Sequence, residues 1–177
     1  MVATVKVNSI ETTSNVSGTP TKFTVEKINN KPVFYGQMGS NLTVVRNTET
    51  VVTGLSTNEV DSHGAFNQST FTCPSNQGGV YFLFGQICTD FDAVGDDGER
   101  SIGHIYLNDV EVIQSKFSVQ DEKHSVFLSN NMRAMVRLEP NDVVDIRATT
   151  NDGDASANAR LAGARCNVGG FRLMGIT

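Results

Sequence analysis

Tryptophan is absent from this chain of 177 residues, charged residues make up only 19% of it, and no run of Ala, Leu, Glu and Lys occurs. Each lack excludes something. Without helix-forming runs, the composition favours strands and turns. A helical membrane span needs about 18 or more consecutive apolar residues, and no such run exists, so membrane insertion is not expected. The 14 basic residues form no cluster, and 19 acidic residues bring the net charge to −5. A free nucleic-acid binder normally carries a basic patch, so nucleic acid is not an expected partner.

The three cysteines, Cys73, Cys88 and Cys166, are odd in number and widely spaced, which argues against a disulfide framework. None forms a CxxC or Cys/His pair with zinc-site spacing. Buried, reduced thiols are expected, with one bridge plus one free thiol as the alternative. There is no Gly-x-Ser-x-Gly elbow, phosphate loop or dinucleotide fingerprint. His63, His104 and His124 are far apart in sequence. No catalytic residue is assigned, and the protein is not expected to be an enzyme. Low aromatic content, 7%, weighs against a sugar-stacking platform.

What is present is Asn, Ser, Thr and Gly in place of charge. Such a surface suits large subunit contacts, because fewer charges need desolvating. The length allows one domain with a short appendage and a real core without disulfide or metal. Asn15, Asn41 and Asn67 open Asn-x-Ser/Thr triplets, read as chance matches in so rich a composition.

Residues 2–10 and 21–28 alternate with strand period. A polar breaker run, 11–20, lies between them, and Asn29-Asn30-Lys31-Pro32 reads as a turn. Residues 1–31 therefore read as an extended arm, too small to fold alone. From residue 32 onward, strand-like runs recur at 33–38, 42–45, 51–55, 64–72, 79–88, 101–107, 110–117, 125–127, 133–138, 143–149 and 169–176. Asn/Asp/Gly/Pro clusters separate them. Residues 155–164 read as a loop with one helical turn. Many short strands in succession predict an all-β antiparallel sandwich or barrel over 32–177.

One run, Gly79-Val-Tyr-Phe-Leu-Phe-Gly-Gln-Ile-Cys88, is apolar at nearly every position. A strand apolar on both faces must be covered on both. In a two-layer sandwich the second cover is a subunit contact. Alternation cannot place Tyr81 and Phe82 on one face, so at least one of them points away from the core.

Some of these residues also resemble a family. Gly64-Ala-Phe66, Phe71-Thr-Cys73-Pro74 and Gly79-Val-Tyr81-Phe82 are similar to the signature of C1q-type globular heads. Met135-Val-Arg-Leu138-Glu-Pro-Asn141-Asp142-Val143 resembles that family's turn between two late strands, with Asn141 where Gly is usual. Asn tolerates positive φ, so the turn survives the change. Gly170-Phe171-Arg-Leu173 resembles its closing strand. The matches span about residues 32–177. The resemblance implies a C1q/TNF-like jelly-roll β-sandwich and a homotrimer packed through aromatic-rich strands. Tyr81, Phe82 and Phe84 are the candidates for that contact.

The arm segment from Ala3 to Gly18, with Lys6-Val7-Asn8-Ser-Ile10, resembles the opening of bacteriophage tail-fibre and appendage proteins that carry C1q-like heads. The implied setting is a virion, assembled in the host cytoplasm, and the start shows no apolar signal core. Val5, Val7, Ile10, Phe23 and Val25 would anchor the arm to other virion proteins. Distal loops would meet a host receptor or glycan. Capsid cementing is the alternative, and a secreted C1q-like ligand or lectin a further one. No cofactor is expected, although residues 90–99 hold five carboxylates. Asp90, Asp92, Asp96 and Asp97 are thus candidate calcium ligands, in a loop that lacks EF-hand spacing.

Overall fold

The computed structural model describes residues 9–12, 21–24, 31–91, 99–119, 126–151 and 159–175. The chain divides into two compact units, Met1–Lys31 and Pro32–Thr177. In the first unit, β1 (Ser9–Thr12) pairs antiparallel with β2 (Thr21–Thr24). Glu11 and Thr12, read as breakers, thus belong to a strand, and the arm folds back on itself.

The second unit is almost all strand. Its elements are β3 (Val33–Met38), β4 (Leu42–Val44), β5 (Thr50–Val51), β6 (Leu55–Asp61), β7 (Thr70–Thr72), β8 (Gly79–Phe91) and β9 (Glu99–Leu107). They continue with β10 (Val110–Val119), β11 (Val126–Leu138), β12 (Val143–Asn151), β13 (Ala159–Leu161) and β14 (Asn167–Gly175). A single 3₁₀ turn, Gly163–Arg165, precedes β14. The strands form two antiparallel sheets. In the seven-stranded sheet, β8 pairs along its whole length with β11 on one edge. Its other edge is shared by β14 and β13, and beyond these lie β3 with β6, and β4. In the five-stranded sheet the order is β10-β9-β12, with β7 and β5 sharing the far edge of β12.

Alternation explains the packing between the sheets. Tyr81, Leu83 and Ile87 of β8 face inward and are fully buried, opposite Ile105 and Ile146 of the other sheet. Phe34 stacks on Phe71 at 4.1 Å and Phe66 at 5.5 Å. Each such side chain contributes about 1.5–3 kcal/mol by leaving water. Cys73, Cys88 and Cys166 are buried and unbridged. Burial raises the Cys166 thiol from its ordinary 9.0 to about 11.

Turn chemistry fixes the connections. Asn108 and Asp109 both take positive φ, 50° and 62°, between β9 and β10. That is the demand of a two-residue type I′ hairpin. Asn141 takes φ 73° after Pro140, and the Asp142 N–H returns to the Glu139 carbonyl at 3.1 Å. Asn therefore does what Gly would do there. At Gly64, φ is 60°, and the Asp61 carboxylate accepts from the Ala65 and Phe66 N–H groups at 3.0 Å each.

Four readings need correction. Residues 51–55 are not one strand: Val51 ends β5 in one sheet, Leu55 begins β6 in the other, and Gly54 (φ 71°) makes the crossing. Of 64–72, only Thr70–Thr72 is a strand. Asn67 accepts from the N–H and hydroxyl of both Ser69 and Thr70, turning the chain just before it. Of the runs 125–127 and 133–138, residues 126–127 and 133–138 belong to a single strand, β11, through Ser129-Asn130-Asn131, and residue 125 lies outside the described residues. The Ala-rich loop holds β13, which pairs with both β4 and β8.

Candidate functional site

The outer face of the seven-stranded sheet is built from cross-strand rows. One row runs Val33, Phe171, Phe82, Met135 across β3, β14, β8 and β11. The next runs Tyr35, Gly169, Phe84, Arg133, and the third Gln37, Asn167, Gln86, Asn131. Residues directly opposite on one face are the contacting pairs of a sheet. Phe82 meets Phe171 at 5.6 Å and Phe84 at 6.3 Å, while Tyr35 reaches Phe84 at 6.3 Å. Tyr35 and Phe84 meet across Gly169, where a Cβ would lie 2.5 Å from the Phe84 ring. Phe82 and Phe84 are half-buried, whereas Val33, Phe171 and Met135 are exposed, Met135 at 73%. Monomers seldom expose large apolar patches that serve no contact.

The amide row is anchored on one side. Gln37 and Gln86 donate to the carbonyls of Ala164 (2.6 Å) and Arg165 (3.0 Å) in the 3₁₀ turn. A cavity of about 310 Å³ opens beside Phe82, Phe84, Gln86, Asn131, Arg133 and Asn167.

Of the three aromatic candidates, Tyr81 is removed from the outer face. It is fully buried in the core, donates its hydroxyl to the Gln77 carbonyl at 2.7 Å and lies 3.6 Å from the Cys73 sulfur. Burial first, then the Cys73 bond, raises its hydroxyl above the ordinary tyrosine value. Phe82 and Phe84 lie on the outer face. Phe171, Met135, Val33 and Tyr35 join them and were not singled out from sequence. The signal was present in β3, where Val33, Tyr35 and Gln37 alternate with buried Phe34, Gly36 and Met38.

Among the arm residues, Ile10 stands opposite Phe23 in the β1–β2 register. Val5, Val7 and Val25 lie outside the described residues, as do Asp92, Asp96, Asp97 and His124. Asp90 is buried and accepts from the Arg160 guanidinium, 3.2 Å from Nε, so its carboxylate is engaged with a cation of the chain itself. Among the described residues, no group of three or more His, Cys, Asp or Glu side chains is placed to hold a metal. His63 bonds the adjacent Ser62 hydroxyl at 2.7 Å.

The outer face of the five-stranded sheet is different. Arg147 binds both oxygens of Asp145 (2.8 and 3.0 Å), Glu49 at 3.2 Å, and Asp109. Its guanidinium also lies 3.9 Å from the centre of the Tyr106 ring. The Asp145 bonds raise its pKa above an already high ordinary value. His104 links the Glu111 carboxylate (2.7 Å) to the Thr149 hydroxyl (3.1 Å). That order of hydroxyl, imidazole and acid is also the order of acyl-transfer relays. Here it lies across β12, β9 and β10 on a sheet face, and neither the 310 Å³ cavity nor a second of about 290 Å³ near Arg172 touches it. Acyl transfer needs a concave site with converging N–H donors. The relay ties three strands together.

No protein-family model matches this sequence, and no curated protein matches it. Solved structures do. The globular domain of a zebrafish complement 1qA protein matches with a TM-score of 0.56 at 18% identity, covering 82% of this chain and 99% of that one. Eiger TNF from S. frugiperda matches at 0.53 and 14%, covering 83% and 94%. Murine APRIL matches at 0.52 and 11%, covering 81% and 99%. The fold is an all-β, antiparallel C1q/TNF-like jelly roll. At these identities, the likeness is one of fold.

Proposed function

We propose that this protein is a non-catalytic assembly module that forms a homotrimer through the outer face of the seven-stranded sheet. The observation that carries the reading is the aromatic and aliphatic row Val33, Phe171, Phe82, Met135 with Tyr35 and Phe84 beside it. An interface core is typically apolar, rich in aromatics and Met and depleted of charge. The uncharged amides of the third row support self-contact, since an amide both donates and accepts whereas like charges repel. The similarity to C1q and TNF-type domains supports a closed three-fold arrangement. Light scattering on the eluting full chain at micromolar concentration tests it. Three times the chain mass is expected, and a stable monomer overturns the reading.

The setting we propose is a bacteriophage particle, with the trimer as a knob on a tail fibre or appendage, held by residues 1–31. The similarity of Lys6-Val7-Asn8-Ser-Ile10 and its flanks to phage fibre openings supports this. Removal of residues 2–30 then leaves the trimer intact and abolishes incorporation into particles. Normal incorporation of the shortened chain overturns the anchoring role. Particles that lose heat resistance without the protein, yet still adsorb to host cells, favour capsid cementing instead. A secreted C1q-like ligand is the second reading, which the fold neighbours support equally.

A further inference from the structure

We infer that the assembled face takes up a small oxyanion, a carboxylate or phosphate group, at Arg133. The inference rests on the self-association reading above. Arg133 stands directly opposite Phe84 and two residues from Met135, within the rows that the assembly would cover. No carboxylate among the described residues pairs with it. Arg137, four residues further along β11, has Glu139 at 2.9 Å, and Arg147 on the other sheet has three carboxylates. Neighbours of Arg133 in these rows are rings, a methionine and amides, with no acid among them.

Covering such a face with further copies brings more guanidinium groups together, because every copy contributes its own Arg133. An unpaired charge withdrawn from water is strongly destabilising unless a counter-charge follows it. The structure offers the space for one. The cavity of about 310 Å³ is lined by Arg133 together with the amides of Asn131, Asn167 and Gln86. Gln86 already donates to the Arg165 carbonyl, but no hydrogen bond to the Asn131 or Asn167 side chains is formed among the described residues. A guanidinium binds a planar or tetrahedral oxyanion through two parallel N–H bonds, and neighbouring amides donate to its remaining oxygens. The aromatic walls Phe82 and Phe84 exclude water from the pair.

The test uses the full chain and its Arg133→Met variant. Light scattering first establishes assembly. Thermal melts then follow titration with acetate, and separately with phosphate, at ionic strength held constant with chloride. Ligand that binds only the assembled form raises its melting temperature with concentration. A general salting-out effect of phosphate stabilises both proteins alike, so the difference between wild type and R133M isolates the site. We expect both anions to raise the wild-type midpoint, phosphate more steeply, with apparent affinity at least about tenfold weaker in R133M. Acetate acting alone identifies a carboxylate site, and phosphate acting alone a phosphate site; either supports the inference.

An assembled wild type whose melt shifts no more than that of R133M overturns it. So does an R133M variant that assembles weakly to the same degree in every buffer, which makes a carboxylate of the neighbouring copy the partner. A wild-type monomer overturns the self-association reading instead, and the scattering step shows that separately. Should R133M fail to fold, Arg133→Lys keeps the charge without the two-pronged geometry. A several-fold weaker anion response in R133K supports the inference, and an undiminished one overturns it.

Discussion

The two sheets turn opposite kinds of outer face away from a shared core. On the five-stranded sheet, charge is plentiful and answered within the chain. Arg147 is held by Asp145, Glu49 and Asp109, and His104 by Glu111 and Thr149. On the seven-stranded sheet, the rows through Phe82, Phe84 and Gln86 carry rings, methionine and amides, with one unanswered guanidinium. A face that satisfies its own hydrogen bonds gains little from a partner, whereas an apolar face gains with each area it hides. The contrast singles out the seven-stranded sheet as the face for the proposed assembly without any appeal to relatives.

Breaking the contrast at its centre gives the largest expected effect. Phe82→Asp places a carboxylate in the middle of the apolar row and reduces the assembled mass to that of one chain, with the circular dichroism of a β-protein retained. Gln114→Glu, on the exposed surface of β10, leaves that mass unchanged. Light scattering reads both. Next comes Arg147→Ala, which strands the nearly buried Asp145 beside Glu49 and Asp109. Removing one partner of a buried ion pair costs about 3 kcal/mol. Urea melts should show that loss while the assembled mass stays intact. Tyr81→Phe is smaller: it removes the hydroxyl bonded to the Gln77 carbonyl and costs about 1 kcal/mol, again without dissociation.

The smallest effect lies at alkaline pH. Hydrogen bonding to Glu49 is the largest cause that raises Tyr106 from its ordinary 10.0 to about 12. The fold thus favours the protonated phenol. Its contribution is complete below pH 10 and is lost as pH rises from 10 to about 12. Melting temperature followed across that window should fall more for wild type than for Tyr106→Phe. Equal slopes would remove Tyr106 from the network.

Much of this was legible in the sequence because period-2 alternation and turn residues are local signals. β3 and the hairpin at Asn108-Asp109 follow from them directly. The two-sided character of β8 was also plain, and with it the need for a second cover. Periodicity alone did not say which parity faced inward. Tyr81 and Phe82 are both large aromatics, and only the hydroxyl bond to Gln77 and the packing on Phe71 set Tyr81 inside. β6 carries no local strand signal, because Ser56-Thr-Asn-Glu59 has no apolar alternation; the strand forms at the sheet's edge, where Leu55, Ser56, Val60 and Asp61 pair with β3. β11 was cut in two by Asn130, a residue of low strand propensity. Its amide is nonetheless buried and donates to the Ser101 hydroxyl at 2.7 Å. The row of amides, and Arg133 among rings, depend on register between four strands, which no local pattern reports.

One consequence follows from the pair Gly169-Gly170. Neighbouring strand residues face opposite ways. A Cβ on Gly169 would strike the Phe84 ring, whereas one on Gly170 would fall 2.7 Å from Leu83 and 2.9 Å from Phe34. At this point the partition between the outside and the interior is bare backbone, with a ring resting on either side. A neighbour pressing on Phe84 therefore leans, through a single layer of peptide, on the centre of the fold. In the proposed assembly, association and interior rigidity would become one property, and amide exchange along β14 should slow on assembly by more than the covered surface alone accounts for.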